Sequence, residues 1–205
     1  FFKSANDTVS VRALYDDQKI AIHLEWDDRT KSIPGDATGK GIADEKFTED
    51  AIAVQFPLTI PDGMEKPYFL MGDAKKPVNL WRWSSGTTEK PESAALIDAK
   101  GIGDQVPRED STGLTAQSSY KAGTWQVVLT RSLTTDTAAP DLQFVQGRFI
   151  PISFFAWDGS NSEAGTHHTM TTWYWLLMKP AANATPLIVS ILAALLVGAI
   201  LVWWG

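Results

Sequence analysis

The chain of 205 residues carries 24 acidic against 18 basic side chains, a net charge of −6, and no cysteine. The acidic balance argues against a nucleic-acid partner, whose phosphates demand Lys and Arg. The lack of cysteine removes disulfides, thiolate metal sites, iron–sulfur clusters and covalent c-type haem attachment, so a cofactor would be held non-covalently or by His, Met, Lys or carboxylates.

Val9, Val11 and Ala13 alternate with polar residues, Asp16-Asp17-Gln18 supplies a turn, and Ile20, Ile22, Leu24 and Trp26 alternate again. That pattern predicts a hairpin. His23 shares its face with Ala21 and Glu25, which turns it to solvent. Trp26-Asp27-Asp28 can bind calcium, although an Asp pair after a strand more commonly marks a solvated turn. Residues 27–48 are polar and read as a long loop.

Residues 51–56 form a short apolar strand ending at Pro57, and 68–71 read as another. Residues 84–116 are rich in Gly, Ser, Thr, Pro and charge and read as an excursion over the surface. Residues 125–131, 149–157 and 172–178 carry the strongest late strand patterns. Seven or eight strands with no long amphipathic helix predict a mainly β fold, an antiparallel two-sheet β-sandwich over residues 1–179.

Residues 180–186 read as a linker. Residues 187–204, LIVSILAALLVGAILVWW, hold no charge and have Ser190 as their single polar side chain. Eighteen residues at 1.5 Å each span roughly 27 Å, which suits a bilayer core of about 30 Å. The segment predicts a transmembrane helix that anchors the chain in lipid, with Trp203 and Trp204 in an aromatic belt. A secretory signal removed ahead of Phe1 would place the large domain on the extracytoplasmic side, periplasmic or extracellular.

No P-loop, cysteine nucleophile or Gly-x-Ser-x-Gly elbow is present, so the residues give no support to a catalytic role. Met71 stands between an apolar run and Gly72-Asp73, and Trp81-Arg82-Trp83 follows. A methionine there is either core packing or a thioether ligand. His167 and His168 lie in a polar Gly-containing loop, where exposure is the simpler reading.

Two segments together resemble the ethylbenzene-dehydrogenase-type haem-binding domain. One is Phe69-Leu70-Met71-Gly72-Asp73 with Pro77-Val78-Asn79-Leu80-Trp81-Arg82-Trp83. The other is Ala156-Trp157-Asp158-Gly159-Ser160-Asn161 with Gly165-Thr166-His167-His168 and Trp173. The family supplies γ-subunit b-type cytochromes of extracytoplasmic molybdenum enzymes of the dimethyl-sulfoxide-reductase class. The resemblance spans roughly residues 7–179 and implies one non-covalent haem b held between the sheets of a sandwich. It implies Met71 as one axial ligand. The second ligand in several members is Lys, but no Lys occurs between Lys121 and Lys179. His168 occupies the matching position, with His167 as the alternative.

Trp81 and Trp83 would then wall the pocket, and Arg82 would pair with a propionate or else be an exposed strand arginine. Two protein ligands would leave no open iron site, which implies electron relay to redox protein subunits. Such partners would be a molybdoenzyme with its iron–sulfur subunit, or cytochrome c. The rival reading is a membrane-anchored carbohydrate- or ligand-binding sandwich, using some of the nine Trp as platforms. A third is an accessory subunit that keeps the fold without the cofactor.

Overall fold

The computed structural model describes residues 6–36, 47–109, 113–136, 140–180 and 185–204. Two antiparallel sheets face each other. In the first, β1 (Ser10–Tyr15), β2 (Lys19–Asp27), β7 (Thr115–Lys121) and β8 (Thr124–Ser132) lie in the order β1-β2-β8-β7. The second runs β10-β9-β3-β4-β5-β6, made from β3 (Ala51–Pro57), β4 (Val78–Ser84), β5 (Ser93–Ala99), β6 (Gln105–Pro107), β9 (Phe149–Trp157) and β10 (Thr169–Met170). Its seventh strand, β11 (Tyr174–Leu177), also pairs with β9.

The expected hairpin is β1–β2, and period-two alternation sets its faces. Ile20, Ile22, Leu24 and Trp26 are fully buried while His23 is only partly covered. From β8 come Trp125, Val127 and Leu129, and from β3 Ile52, Val54 and Phe56, to the same core. The rings of Trp83 and Trp125 lie 4.8 Å apart at 65°, and those of Phe56 and Trp81 4.9 Å apart. Edge and tilted contacts of this kind add to the area they bury.

All seven residues of β3 are buried, because both of its faces are covered. One faces the first sheet. Over the other lies the segment around Met71, tied down where Gln55 Nε2 donates to the Phe69 carbonyl (3.4 Å) and Trp173 Nε1 donates to that of Pro67 (2.8 Å).

Several expectations change. Residues 68–71 are not a strand but a turn closed by Gly72 N–H donating to the Tyr68 carbonyl at 2.9 Å. The excursion over 84–116 contains β5 and β6, so the strand number exceeds the seven or eight expected. The late strand over 172–178 is shorter, at Tyr174–Leu177.

Within the expected 180–186 linker, residues 181–184 lie outside the described residues. The expected span 187–204 falls inside helix α1 (Thr185–Trp204), which has no acidic residue in its first turn and no basic one in its last. Among the described residues, no helix is long and apolar enough to cross a membrane. Its residues over 188–200 are all exposed.

Candidate functional site

On the second sheet, the face turned away from the sandwich core carries its own buried cluster. Register decides its members. Ala51 pairs with Trp157 and Ala53 with Phe155 across β3 and β9, while Leu80 pairs with Ile97 and Val78 with Ala99 across β4 and β5. These residues are buried together with Met71, and Ile102, Met170 and Trp173 pack against them.

Met71 reaches the cluster through an unusual backbone. Its φ is 63°, in the left-handed region, and Gly72 follows at 72°. For a side chain other than Gly that region costs roughly 1–2 kcal/mol. A Cβ on residue 72 would lie 2.6 Å from the Lys76 carbonyl oxygen, so only glycine fits there. Asp73 Oδ1 accepts from the backbone N–H of Lys75 (2.8 Å) and Lys76 (3.0 Å) and fixes the way out of the turn. The strain ends in a thioether with no exposure at all. Strained residues of this kind concentrate at functional positions.

The histidine loop is built from β9 onward. Asp158 caps a 3₁₀ turn over Gly159–Asn161, its Oδ1 accepting from Ser160 N–H (2.8 Å) and Asn161 N–H (3.3 Å). Buried Glu163 closes the turn by accepting from Asp158 N–H at 3.1 Å. Thr48 Oγ1 pins the segment by donating to the Glu163 carbonyl at 2.8 Å. Gly165, at φ 57°, turns its carbonyl inward. That oxygen accepts from Trp157 Nε1 (3.1 Å) and lies 3.2 Å from His168 Nδ1.

A carbonyl can only accept, so the contact assigns the proton to Nδ1 and leaves the Nε2 lone pair for a metal. The His168 ring sits 5.2 Å from that of Phe155 and 5.4 Å from that of Trp157. Burial, above all, lowers its pKa and so favours the neutral ring a metal needs. His167 is exposed.

Met71 belongs to the same buried cluster as Phe155 and Trp157, the two rings that His168 approaches from the loop. Arg82 also lies on this face. Its guanidinium carbon is 5.5 Å from the Trp157 ring centroid, and Nη2 pairs with Glu49 at 2.7 Å. Its strand neighbours Ala53 and Ala95 are small. A groove of about 310 Å³ opens here, with Leu80, Arg82, Ile97, Trp157 and Gly165 in its lining. Neither Met71 nor His168 lines it.

Trp81 and Trp83 do not belong to this face. Their strand positions point them between the sheets, into the core of Phe56, Trp26 and Trp125. The groove on the outer face has Trp157 in its lining, and neither Trp81 nor Trp83. The expected place for a haem between the sheets is likewise filled by side chains. Arg82 is engaged by Glu49 and is not an exposed strand arginine. Met170 also packs on the same cluster. Its pairing with Phe155 through β10 carries it there, and that is a long-range contact.

The sequence matches the family model described as ethylbenzene dehydrogenase over residues 2–113, which includes Met71 and Arg82 but stops before His168. A protein of Haloferax mediterranei described as a respiratory nitrate reductase haem subunit is 26% identical over 88% of this chain and 59% of its own length. The chlorate reductase subunit gamma of Ideonella dechloratans is 31% identical over 85% of this chain and 66% of its own. This chain thus spans about three fifths to two thirds of the relatives it matches. A solved structure described as a carbohydrate-binding protein from Bacteroides uniformis has a TM-score of 0.44 at 7% identity, covering 85% of this chain and 72% of that one, a likeness too slight to carry an argument.

Proposed function

We infer the function of this chain from its lineage: it belongs to the ethylbenzene dehydrogenase family, and we read it as a haem-binding electron-transfer subunit of an oxidoreductase complex. The observation that carries this reading is the placement at one buried cluster of a thioether, Met71, and of an imidazole whose Nδ1 is tied to the Gly165 carbonyl. Met71 and His168 are the residues that would hold iron. His167 is the alternative, but its exposure weighs against it.

Haem b, when bound, supplies a single-electron centre, and Met/His ligation favours its reduced form. The chain's own residues do the rest. Phe155 and Trp157 give an apolar surface that excludes water, and the carbonyl of Gly165 fixes the tautomer of the His168 imidazole. Arg82 offers a cation to a carboxylate at the groove, in competition with Glu49. The absence of cysteine supports non-covalent retention, and one Met71–His168 set would hold one haem.

The relatives described as nitrate reductase and chlorate reductase subunits support redox partner subunits. A molybdoenzyme with an iron–sulfur subunit, or a cytochrome c, fits that role. Anchoring by α1, with the large domain on the extracytoplasmic side, rests on the uncharged helix over Thr185–Trp204. Carbonate washing of membranes tests it: the full chain should stay in the pellet, and a chain lacking residues 187–204 should be released.

A reduced-minus-oxidised visible spectrum of the purified protein tests the haem. Soret and α bands are expected. They should vanish or shift in His168→Ala and persist in His167→Ala. Colourless protein from cells supplied with haem would overturn the reading and leave the ligand-binding module in its place.

A further inference from the structure

We propose that Asp28, Asp50 and Asp158 form a binding site for one hard divalent cation, calcium, at the joint between the two sheets. The inference is independent of the haem reading. Each aspartate extends the inward-facing series of its strand by one step beyond the strand end. Asp28 follows Trp26 at the end of β2, Asp50 precedes Ile52 before β3, and Asp158 follows β9. Period-two geometry therefore turns three carboxylates from both sheets toward one point.

All three are buried, at 3%, 0% and 4% exposure. One carboxylate oxygen from each lies within 4.8 Å of the others. Oxygens gathered this closely can share one calcium ion, whose oxygen ligands stand at about 2.4 Å. An all-oxygen donor set favours such cations over zinc or copper.

The local charge also favours a cation. Among the described residues, the ion pairs leave these three aspartates without a Lys or Arg partner. Lys31 stands over the Trp125 ring instead, 5.7 Å from its centroid. Hydrogen bonds orient the carboxylates without neutralising them. Asp50 accepts from Ser32 N–H (2.7 Å), Trp125 Nε1 (3.0 Å) and Gly159 N–H (2.9 Å). Asp28 Oδ1 accepts from Thr30 N–H at 3.0 Å, while Asp28 Oδ2 is buried with no hydrogen-bond partner.

A buried acceptor left bare in this way is costly unless something occupies it. Burial, with the charges of Asp50 and Asp158 added, pushes Asp28 up to about 7; burial also pushes Asp50 up to about 6. Without a cation, protons would have to relieve the repulsion. A bound cation would clamp the first sheet to the second and hold the root of the loop that ends in His168.

The test uses the full chain, stripped with a chelator and titrated with terbium. The Trp125 indole bonded to Asp50 makes bound terbium luminescent on tryptophan excitation. Saturation at one terbium per chain is expected, with displacement by calcium and a higher melting temperature in calcium. Asp28→Asn should weaken calcium binding at least about tenfold, since ligand charge sets affinity, with an unchanged β circular dichroism spectrum. Asp158→Asn is the second variant should the first not fold. Two results overturn the proposal. One is the absence of stoichiometric terbium or calcium binding to the wild type up to millimolar concentration. The other is wild-type affinity in a folded variant.

Discussion

Replacing Met71 by leucine separates packing from ligation. The residue is wholly buried in the outer-face cluster and sits at φ 63°. Leucine would occupy the same left-handed backbone, so the strain cancels between the two proteins. A volume-conserving swap of this kind costs less than about 1.5 kcal/mol. At about 2–4 °C per kcal/mol for a chain of this size, the melting temperature falls by at most about 6 °C. Truncation to alanine is different. Three heavy atoms leave a closed site, a loss of about 2–5 kcal/mol, or very roughly 4–20 °C.

If the sulfur ligates iron, the leucine variant stays folded yet loses the wild-type reduced spectrum, and its midpoint potential drops. The assay is a melting curve beside a redox titration followed in the visible. A leucine variant with wild-type bands and wild-type potential would show that Met71 is core packing alone.

Chelated protein should lose stability as pH rises. The raised pKa values of Asp28 (about 7) and Asp50 (about 6) mean the folded state keeps protons that the unfolded chain, near 3.8, has released. That contribution is intact below about pH 4 and is lost on the way to about pH 7. Melting curves across this range should show the decline, and calcium should flatten it. Asp141→Asn should cost about 3–5 kcal/mol in denaturant unfolding, because Asp141 pairs with Arg108 at 2.6 Å and with wholly buried Arg131 at 3.7 Å. Gly72→Ala should destabilise by more than about 1 kcal/mol, since its Cβ meets the Lys76 carbonyl at 2.6 Å. A thermal melt equal to wild type would show that the turn relaxes.

Alternation made β2 and β9 legible, because each has one face set by a polar/apolar rhythm or a long apolar run. β5, with the sequence SAALIDA, and β7, with TAQSSYK, lack that contrast. Alanine and serine suffice where a strand is partly covered by neighbours that sequence does not reveal. The run Tyr68-Phe69-Leu70-Met71 has strand composition but lies across a sheet as a turn, and apolar content alone does not separate the two.

Met71 stands out beside Gly72-Asp73, whereas the inward turn of Trp81 and Trp83 does not follow from the sequence. Which face of β4 turns inward depends on its register with β3, a long-range property. Asp28 is a different case. The even-numbered series Ile20, Ile22, Leu24 and Trp26 continues to it, yet the Asp pair reads as a solvated turn; only Asp27 is exposed and Asp28 is buried.

The pairing of β2 with β8 joins Trp26 to Trp125, and that of β3 with β9 joins Ala51 to Trp157. Each strand thus meets its partner about a hundred residues later in the chain. At a synthesis rate of about 5–20 residues per second, β2 and β3 wait about 5–20 s on the ribosome before either pairing can form. Topology of this kind folds slowly. During that delay the edge of β3 that β9 will pair stays open, so the nascent chain depends on whatever shields it until β9 emerges. The histidine loop, coming after β9, can take shape only in the last act of folding.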